Sequence, residues 1–479
     1  MIFLGLSLHL EYIGLRVEAK NHKHMSQTST IYFYGGAGTV TGSNFLVDIG
    51  DTKILIDCGL SQGRHNAEEI NWGPFPYEPG SIPFLFVTHA HIDHIGKIPK
   101  LVKDGFKGRI ISTEATRALA EPLLLDSQEL LAHDARKHNH EMLYDEHDIA
   151  RAMELWEGVG YHQKVDLPSD CTAEFINSGH ILGSALVRFE RGGKNLVFTG
   201  DLGGGNSPLL PHAEVLEGAQ YLVMESVYGD RVRGKDEDRR QLLEDTIENS
   251  VTRGGTLLIP AFSTERTQDL LFEIRTLMVE KRVPSVPVYI DSPLASKITA
   301  AFLAHPSYFS SDIQARIEGG ENIFEFPELT FVETIEESKR VAGLPGPKIV
   351  IAGSGMSNGG RVHGYQKYIL PDAKSTLLIV GYQSAGSLGR RLIEGEKNVF
   401  LMGEKTPVKC TVEAIYGYSA HMDGEQLLEF VNKTTPSLSQ VFVVMGEPSS
   451  ASFLVQRIRD YLGVKATAPE TGEKVQIDF

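Results

Sequence analysis

The chain has 479 residues, of which 62 are acidic and 46 basic, for a formal net charge of -16. At roughly 150 residues per domain this is material for about three domain-equivalents or for one large domain carrying an insertion, and 41% hydrophobic residues exclude a largely disordered chain. The acidic balance excludes a basic nucleic-acid coat protein. It does not exclude an enzyme that handles nucleic acid through a local basic groove or a bound cation.

Residues 1–28 read as an extension ahead of the first domain. Their apolar run, Ile2 to Leu15, contains His9 and Glu11, lacks a basic start and is too short to cross a bilayer, so no membrane association is expected. From Thr30 the runs STIYFYGG, SNFLVDIG and TKILIDCGL read as strands stopped by glycine. PFLFVTH (83–89) is a buried strand that ends in a polar cluster, and Thr113 to about Gly158 is helical. The strand-to-loop units AEFINSGH (173–180), NLVFTGD (195–201) and YLVMES (221–226) follow.

Beyond Tyr228 the texture changes. The charge-dense RVRGKDEDRR leads into alternating helices and apolar strands, with KIVIAGSGM (348–356) and STLLIVGYQ (375–383) each running into a glycine-rich loop. Repeated strand, loop and helix units predict a parallel α/β domain. After about residue 400 short β signals return, with a helix near 423–433 and QVFVVMGE (440–447). Cys58, Cys171 and Cys410 are isolated and odd in number. They support neither a disulfide scaffold nor a cysteine zinc knuckle, and a reducing, cytoplasmic setting is expected.

The strongest chemical signal is Thr88-His89-Ala90-His91-Ile92-Asp93-His94. Three imidazoles and a carboxylate directly after an apolar strand are ligands that zinc accepts. In extended chain His89 and His91 project to one side, while Asp93 and His94 fall on the following turn, where they can address a second ion. His180 in SGHILGS and Asp201 in FTGDLG are further polar groups at strand ends. His133, His138, His140 and His147 lie in a polar helical stretch and are expected to be solvent-facing.

This set resembles the metallo-β-lactamase superfamily. The resemblance implies one metal on His89, His91 and His180, a second on Asp93 and His94, Asp201 as the bridge, and Asp57 of LIDCGL as a support that orients the histidine loop. A turn-capping role before Gly59 is the other reading of Asp57. The segments MESVYGD (224–230), IPAFSTERTQDLL (259–271), IDSPLASKIT (290–299), GSGMSNGGR (353–361) and GYQSAGSLGRRL (381–392) narrow it to the β-CASP group, nucleic-acid-processing enzymes with an α/β domain inserted in that fold. It is similar to the bacterial and archaeal relatives of the RNA 3′-end cleavage endonuclease. A four-layer αββα domain from 29–227 and 400–479 is therefore expected, interrupted by a parallel α/β domain at 228–399. The implied activity is metal-dependent endonucleolytic cleavage of single-stranded RNA, with two zinc ions and products bearing a 3′-hydroxyl and a 5′-phosphate. Homodimerisation or membership of an RNA-processing complex stays open.

Within that scheme Glu225 and His421 match the first two β-CASP motifs. His421 contacts the scissile phosphate or assists the leaving oxygen, Glu225 positions it, and Asp93 and Asp201 complete the catalytic set. The third motif departs: Met445 stands where a histidine completes the second metal site. A thioether is a poor substitute for imidazole on zinc, so the second ion is expected to bind less tightly or to lean on Asp93, His94, Asp201 and water. Ser354, Ser357 and Ser384 in the glycine-rich turns, with Arg361, Arg390, Arg391 and Lys97, are candidate phosphate contacts. Two rival readings remain at this level: a small ester or thioester hydrolase sharing the histidine loop, and a non-catalytic scaffold subunit.

Overall fold

The computed structural model describes residues 28–63, 66–138, 140–231, 238–381, 383–384 and 386–479. His22, His24 and most of the charged segment after Arg231 lie outside them. Eleven strands precede the insertion: β1 (Thr28–Gly35), β2 (Asn44–Asp48), β3 (Lys53–Ile56), β4 (Phe84–Phe86), β5 (Arg109–Thr113), β6 (Trp156–Val159), β7 (Val165–Leu167), β8 (Cys171–Asn177), β9 (Ala185–Arg191), β10 (Lys194–Phe198) and β11 (Tyr221–Met224). The second half adds β12 (Thr256–Pro260), β13 (Val288–Asp291), β14 (Leu329–Phe331), β15 (Lys348–Ala352), β16 (Thr376–Val380), β17 (Asn398–Leu401), β18 (Glu404–Pro407), β19 (Thr411–Ile415), β20 (Gln440–Val443), β21 (Ala466–Thr467) and β22 (Lys474–Asp478).

Two seven-stranded sheets, ordered β22-β1-β2-β3-β4-β5-β6 and β21-β20-β11-β10-β9-β8-β7, face each other. Phe33, Phe45, Phe86, Phe175, Phe189, Phe198 and Phe442 fill the space between them. The period of two in β8 shows how one strand serves two layers: Phe175 enters this sandwich, while Ile176 points to the opposite face. There Leu427, Val431, Leu454 and Ile458 of the helices Gly424–Thr434 and Pro448–Leu462 cover the second sheet. The first sheet is covered by Leu101, Leu119, Leu124 and Ile149 from three helices. The result is the expected four-layer αββα arrangement.

The third sheet, β14-β13-β15-β12-β16-β19, is parallel throughout. β12, β15 and β16 are buried at every position, which is why they read as continuous apolar runs rather than alternating ones. The sheet ends later than the sequence suggests. It takes in a strand beyond the expected boundary at 399/400, since β19 pairs in parallel with β16 from Thr376↔Thr411 to Val380↔Ile415. The hairpin of β17 and β18 supplies the β texture after 400 without returning the chain to the first domain. No helix among the described residues is long and apolar enough to cross a membrane.

Candidate metal centre and nucleic-acid cleft

The histidine loop leaves β4 and is held from below by Asp57. Asp57 has a left-handed backbone (φ 56), uncommon for a residue with a side chain, and its carboxylate is 1% exposed. It accepts hydrogen bonds from Thr88 N (2.8 Å), Thr88 Oγ1 (2.9 Å), Ser43 Oγ (3.0 Å) and His94 Nδ1 (2.7 Å). Its work is thus long-range support of the loop rather than the capping of a local turn. Gly59 permits the close approach, since a Cβ there would sit 1.5 Å from the Asp93 carbonyl oxygen.

Above this floor four donor atoms converge. His91 Nδ1 lies 3.1 Å from His89 Nε2 and 3.2 Å from His180 Nε2, and Asp201 Oδ2 is 3.4 Å from both His89 Nε2 and His180 Nε2. A tetrahedral zinc with bonds of about 2.05 Å would have ligand edges of about 3.3 Å, so these spacings match a cation cage. Burial foremost, and then neighbouring imidazoles, push His91 and His180 well below the usual histidine range, which leaves their lone pairs free for a metal.

The second oxygen of Asp201 faces a second group. Asp201 Oδ1 is 3.5 Å from His94 Nε2, which is 3.8 Å from Asp93 Oδ2. His94 Nε2 and Asp201 Oδ1 are buried without a hydrogen-bond partner, as befits atoms whose partner is an ion. Burial opposes charge on His94, yet Asp201, Asp57 and Asp93 hold its pKa well above the usual value, so an ion arriving at Nε2 must displace a proton. The residues therefore fit one cation with four donors, and His94 and Asp93 line up beside the second oxygen of Asp201.

Met445 does not extend the second set. Its backbone is left-handed (φ 46), its N–H donates to the Gly36 carbonyl at 2.6 Å, and its side chain is buried in the sandwich core. The sulfur presses on Gly36, where an added Cβ would come within 2.4 Å of it. Met445, Asp57, Thr88 and Gly200 share a cavity of about 10 Å³, near the minimum that holds one water.

His421 reaches the centre from the far end of the chain. A bridge between His421 and Gly203, with Gly204 N donating to the Ala420 carbonyl, fastens its loop beside Asp201. Gly203 is required, because a Cβ there would meet the Gly179 carbonyl oxygen at 1.8 Å. The His421 ring lies 4.6 Å from that of His180, and its Nδ1 is 3.2 Å from Glu225 Oε1. Glu225, fully buried, also accepts from Leu202 N at 2.6 Å, tying His421 and the Asp201 loop to one carboxylate. Burial disfavours a charged His421, but Glu225, Asp201 and Asp93 together raise its pKa to about 9.

The candidate phosphate contacts fare differently. Arg361 is tied to Asp291 Oδ1 at 2.6 Å and to the Glu333 and Thr334 carbonyls, so it braces the inserted sheet. Arg390 and Arg391 pair with Glu394 and Glu396 of their own segment, and Lys97 lies over the Phe75 ring. Ser357 is fully buried, whereas Ser354 and Ser384 are half-buried at the carboxyl edge of the third sheet. His133, His140 and His147 are exposed, as expected. Sequence reasoning assigned nothing to Thr88, whose hydroxyl links Asp57 to His89 Nδ1 (3.1 Å), or to Tyr228, whose ring stands edge-on 5.7 Å from His421. Their place within the THAHIDH and MESVYGD segments was the available signal.

Residues 37–285 match the family model of the Metallo-beta-lactamase superfamily, 267–392 that of the Beta-Casp domain, and 405–469 that of the Zn-dependent metallo-hydrolase RNA specificity domain. The chain is 35% identical to a ribonuclease of Thermus thermophilus, over 83% of this chain and 89% of that one. It is 31% identical to a transcription termination factor of Methanosarcina mazei, over 92% and 71%. A crystal structure of a protein of unknown function from Enterococcus faecalis shares the fold, with a TM-score of 0.54 at 14% identity, covering 94% of this chain and all of that one.

Proposed function

The chain belongs to the metallo-beta-lactamase superfamily and carries its Beta-Casp domain, and from that footing we propose that it is a metal-dependent endoribonuclease acting on single-stranded RNA. The observation that carries the reading is the convergence of His89, His91, His180 and Asp201 beside a histidine, His421, that is held by a buried carboxylate. Zinc is the ion its imidazole-rich donor set suits best. A bound ion pair supplies a nucleophile from water at neutral pH and neutralises charge on the transferring phosphoryl group.

The remaining work belongs to side chains. Asp201 presents one oxygen to each set of donors and fixes their separation. His421 faces the phosphate and donates a hydrogen bond or proton to an oxygen that gains charge as the P–O bond breaks. Glu225 holds the ring in that direction and stabilises its charge. The ends formed are a 3′-hydroxyl and a 5′-phosphate.

The test is cleavage of end-labelled single-stranded RNA by the metal-loaded chain, with product ends mapped and Asp201→Ala as control. Internal cuts that vanish in the variant support the reading. RNA bound but left intact with zinc, manganese, magnesium and iron alike would sink it and favour a scaffold role.

A further inference from the structure

The inserted sheet is wholly parallel, so the carboxyl ends of all its strands open to one side. β19 identifies that side: Gly381 N donates to the Ile415 carbonyl at 2.9 Å, and from Ile415 the chain runs through Tyr418 to His421. The loops after β12, β15 and β16 therefore share an edge with the metal centre. Within the order β13-β15-β12-β16, β12 leads across β15 to β13, whereas β15 leads across β12 to β16. The two connections cross, which brings the loops after β12 and β15 together at the carboxyl edge of the sheet, the edge at which open α/β sheets take ligands.

Phe262 stands where those loops meet. It is 48% exposed, directly after a fully buried strand. Its ring edge lies on Gly355 of the loop after β15, where an added Cβ would be 2.8 Å from Phe262 Cδ2. The turn beneath it is fixed: Thr267 Oγ1 donates to the Phe262 carbonyl at 2.7 Å, and Gln268 Nε2 to the Ser263 carbonyl at 3.1 Å. An apolar ring supported on one side, open on the other and carried on a rigid turn is pre-organised to receive a flat apolar surface.

Arg266, from the same turn, extends to Tyr418 on the segment that leads to His421. Its guanidinium carbon is 5.7 Å from the Tyr418 ring centroid and 3.8 Å from the place a Cβ on Gly381 would occupy. Arg239 is bonded to Glu273, but Arg266 makes no hydrogen-bonded ion pair among the described residues. Burial disfavours the Arg266 charge, which Asp269 and Glu265 alongside it support.

We propose that Phe262, seated on Gly355, stacks a nucleobase of the RNA strand next to the scissile bond, and that Arg266 holds a phosphate between that base and the metal centre. Successive bases have an apolar face to offer an aromatic ring, and the linking phosphates match a guanidinium. The geometry selects an unpaired strand, because a base within a duplex has its face covered by its neighbours.

This proposal rests on the ribonuclease reading, and its experiment separates the two. A fluorescein-labelled single-stranded RNA and a set of the same RNA carrying one abasic nucleotide at successive positions are cleaved by the metal-loaded chain. One abasic position beside the cut should lower kcat/KM of the wild type about tenfold. Phe262→Ala should lower it about tenfold on intact RNA and show no further loss at that abasic position, while Phe262→Trp keeps both activity and discrimination. Arg266→Gln should flatten the salt dependence of KM by about one ion. Wild-type rates in Phe262→Ala overturn the proposal. So does a slow Phe262→Ala that keeps the full abasic penalty, since that ring would act only on the fold. Failure of the wild type to cut any RNA overturns the ribonuclease reading first, and this proposal with it.

Discussion

His94 Nδ1 lies 2.7 Å from Asp57 Oδ2, and neither side chain is more than 1% exposed. This pairing fixes which imidazole nitrogen is left for a metal, because Nδ1 is committed to the carboxylate and Nε2 points at Asp93 and Asp201. Asp57→Asn keeps the shape but replaces a charged acceptor with an amide, which can offer His94 the wrong partner. Metal content by mass spectrometry and the RNA cleavage rate should both fall, the rate by about 10- to 100-fold. Full occupancy with an unchanged rate would reduce Asp57 to a fold residue.

Met445 lies beside the same floor, sharing its small cavity with Asp57 and Thr88. Met445→His replaces a thioether packed on Gly36 with a group able to bind a cation, at a backbone position already left-handed. Chelator competition should show the second ion held at least tenfold more tightly, with faster cleavage. Identical chelator curves would mean that this strand end does not address the ion.

Glu225 joins two parts of the site by accepting from both Leu202 N and His421. Glu225→Gln preserves the bond to Leu202 and weakens the hold on His421. It should slow cleavage about tenfold, and His421→Ala by about 10²–10⁴. The double variant should be no slower than His421→Ala alone, because Glu225 acts through that ring. Multiplying rate losses would indicate independent roles.

The metal loop was legible because its ligands are local: four residues of THAHIDH lie within six positions and follow a buried strand. The pairing of Glu225 with His421 spans 196 residues and entered the sequence reading only through resemblance. The surroundings of the candidate phosphate contacts were hidden for a related reason. Arg361 looks free in sequence but meets Asp291, 70 residues earlier, once the sheet forms. The full extent of the inserted sheet was not legible, because the register of β19 with β16 is a tertiary property. Phe262 sat inside a recognised segment with no role, since an apolar residue after an apolar strand signals core until its exposure is known.

A buried charge cluster joins the inserted domain to the loop bearing His421. Asp269 accepts from Ser207 Oγ at 2.8 Å, Arg239 and Tyr418 bond to Glu273, and Glu265 and Arg266 lie alongside. Burial foremost lifts the Asp269 pKa from 3.8 to about 6; Glu273 adds to the rise, while Arg239, Arg266 and Ser207 oppose it. A carboxyl whose pKa is raised on folding binds its proton more tightly in the folded state. Its contribution to stability is therefore complete below about pH 4 and is lost as pH rises through about 6. Asp269→Asn keeps an acceptor for Ser207 and cannot ionise. The Tm of the variant minus that of the wild type, measured with metal in both, should thus increase between about pH 4 and pH 6.5 and then level off. Taking the difference cancels the opposing titration of the metal-site histidines, which both proteins share. A difference that stays flat across that range would mean Asp269 is already ionised in the folded protein, with Arg239 and Arg266 outweighing its burial.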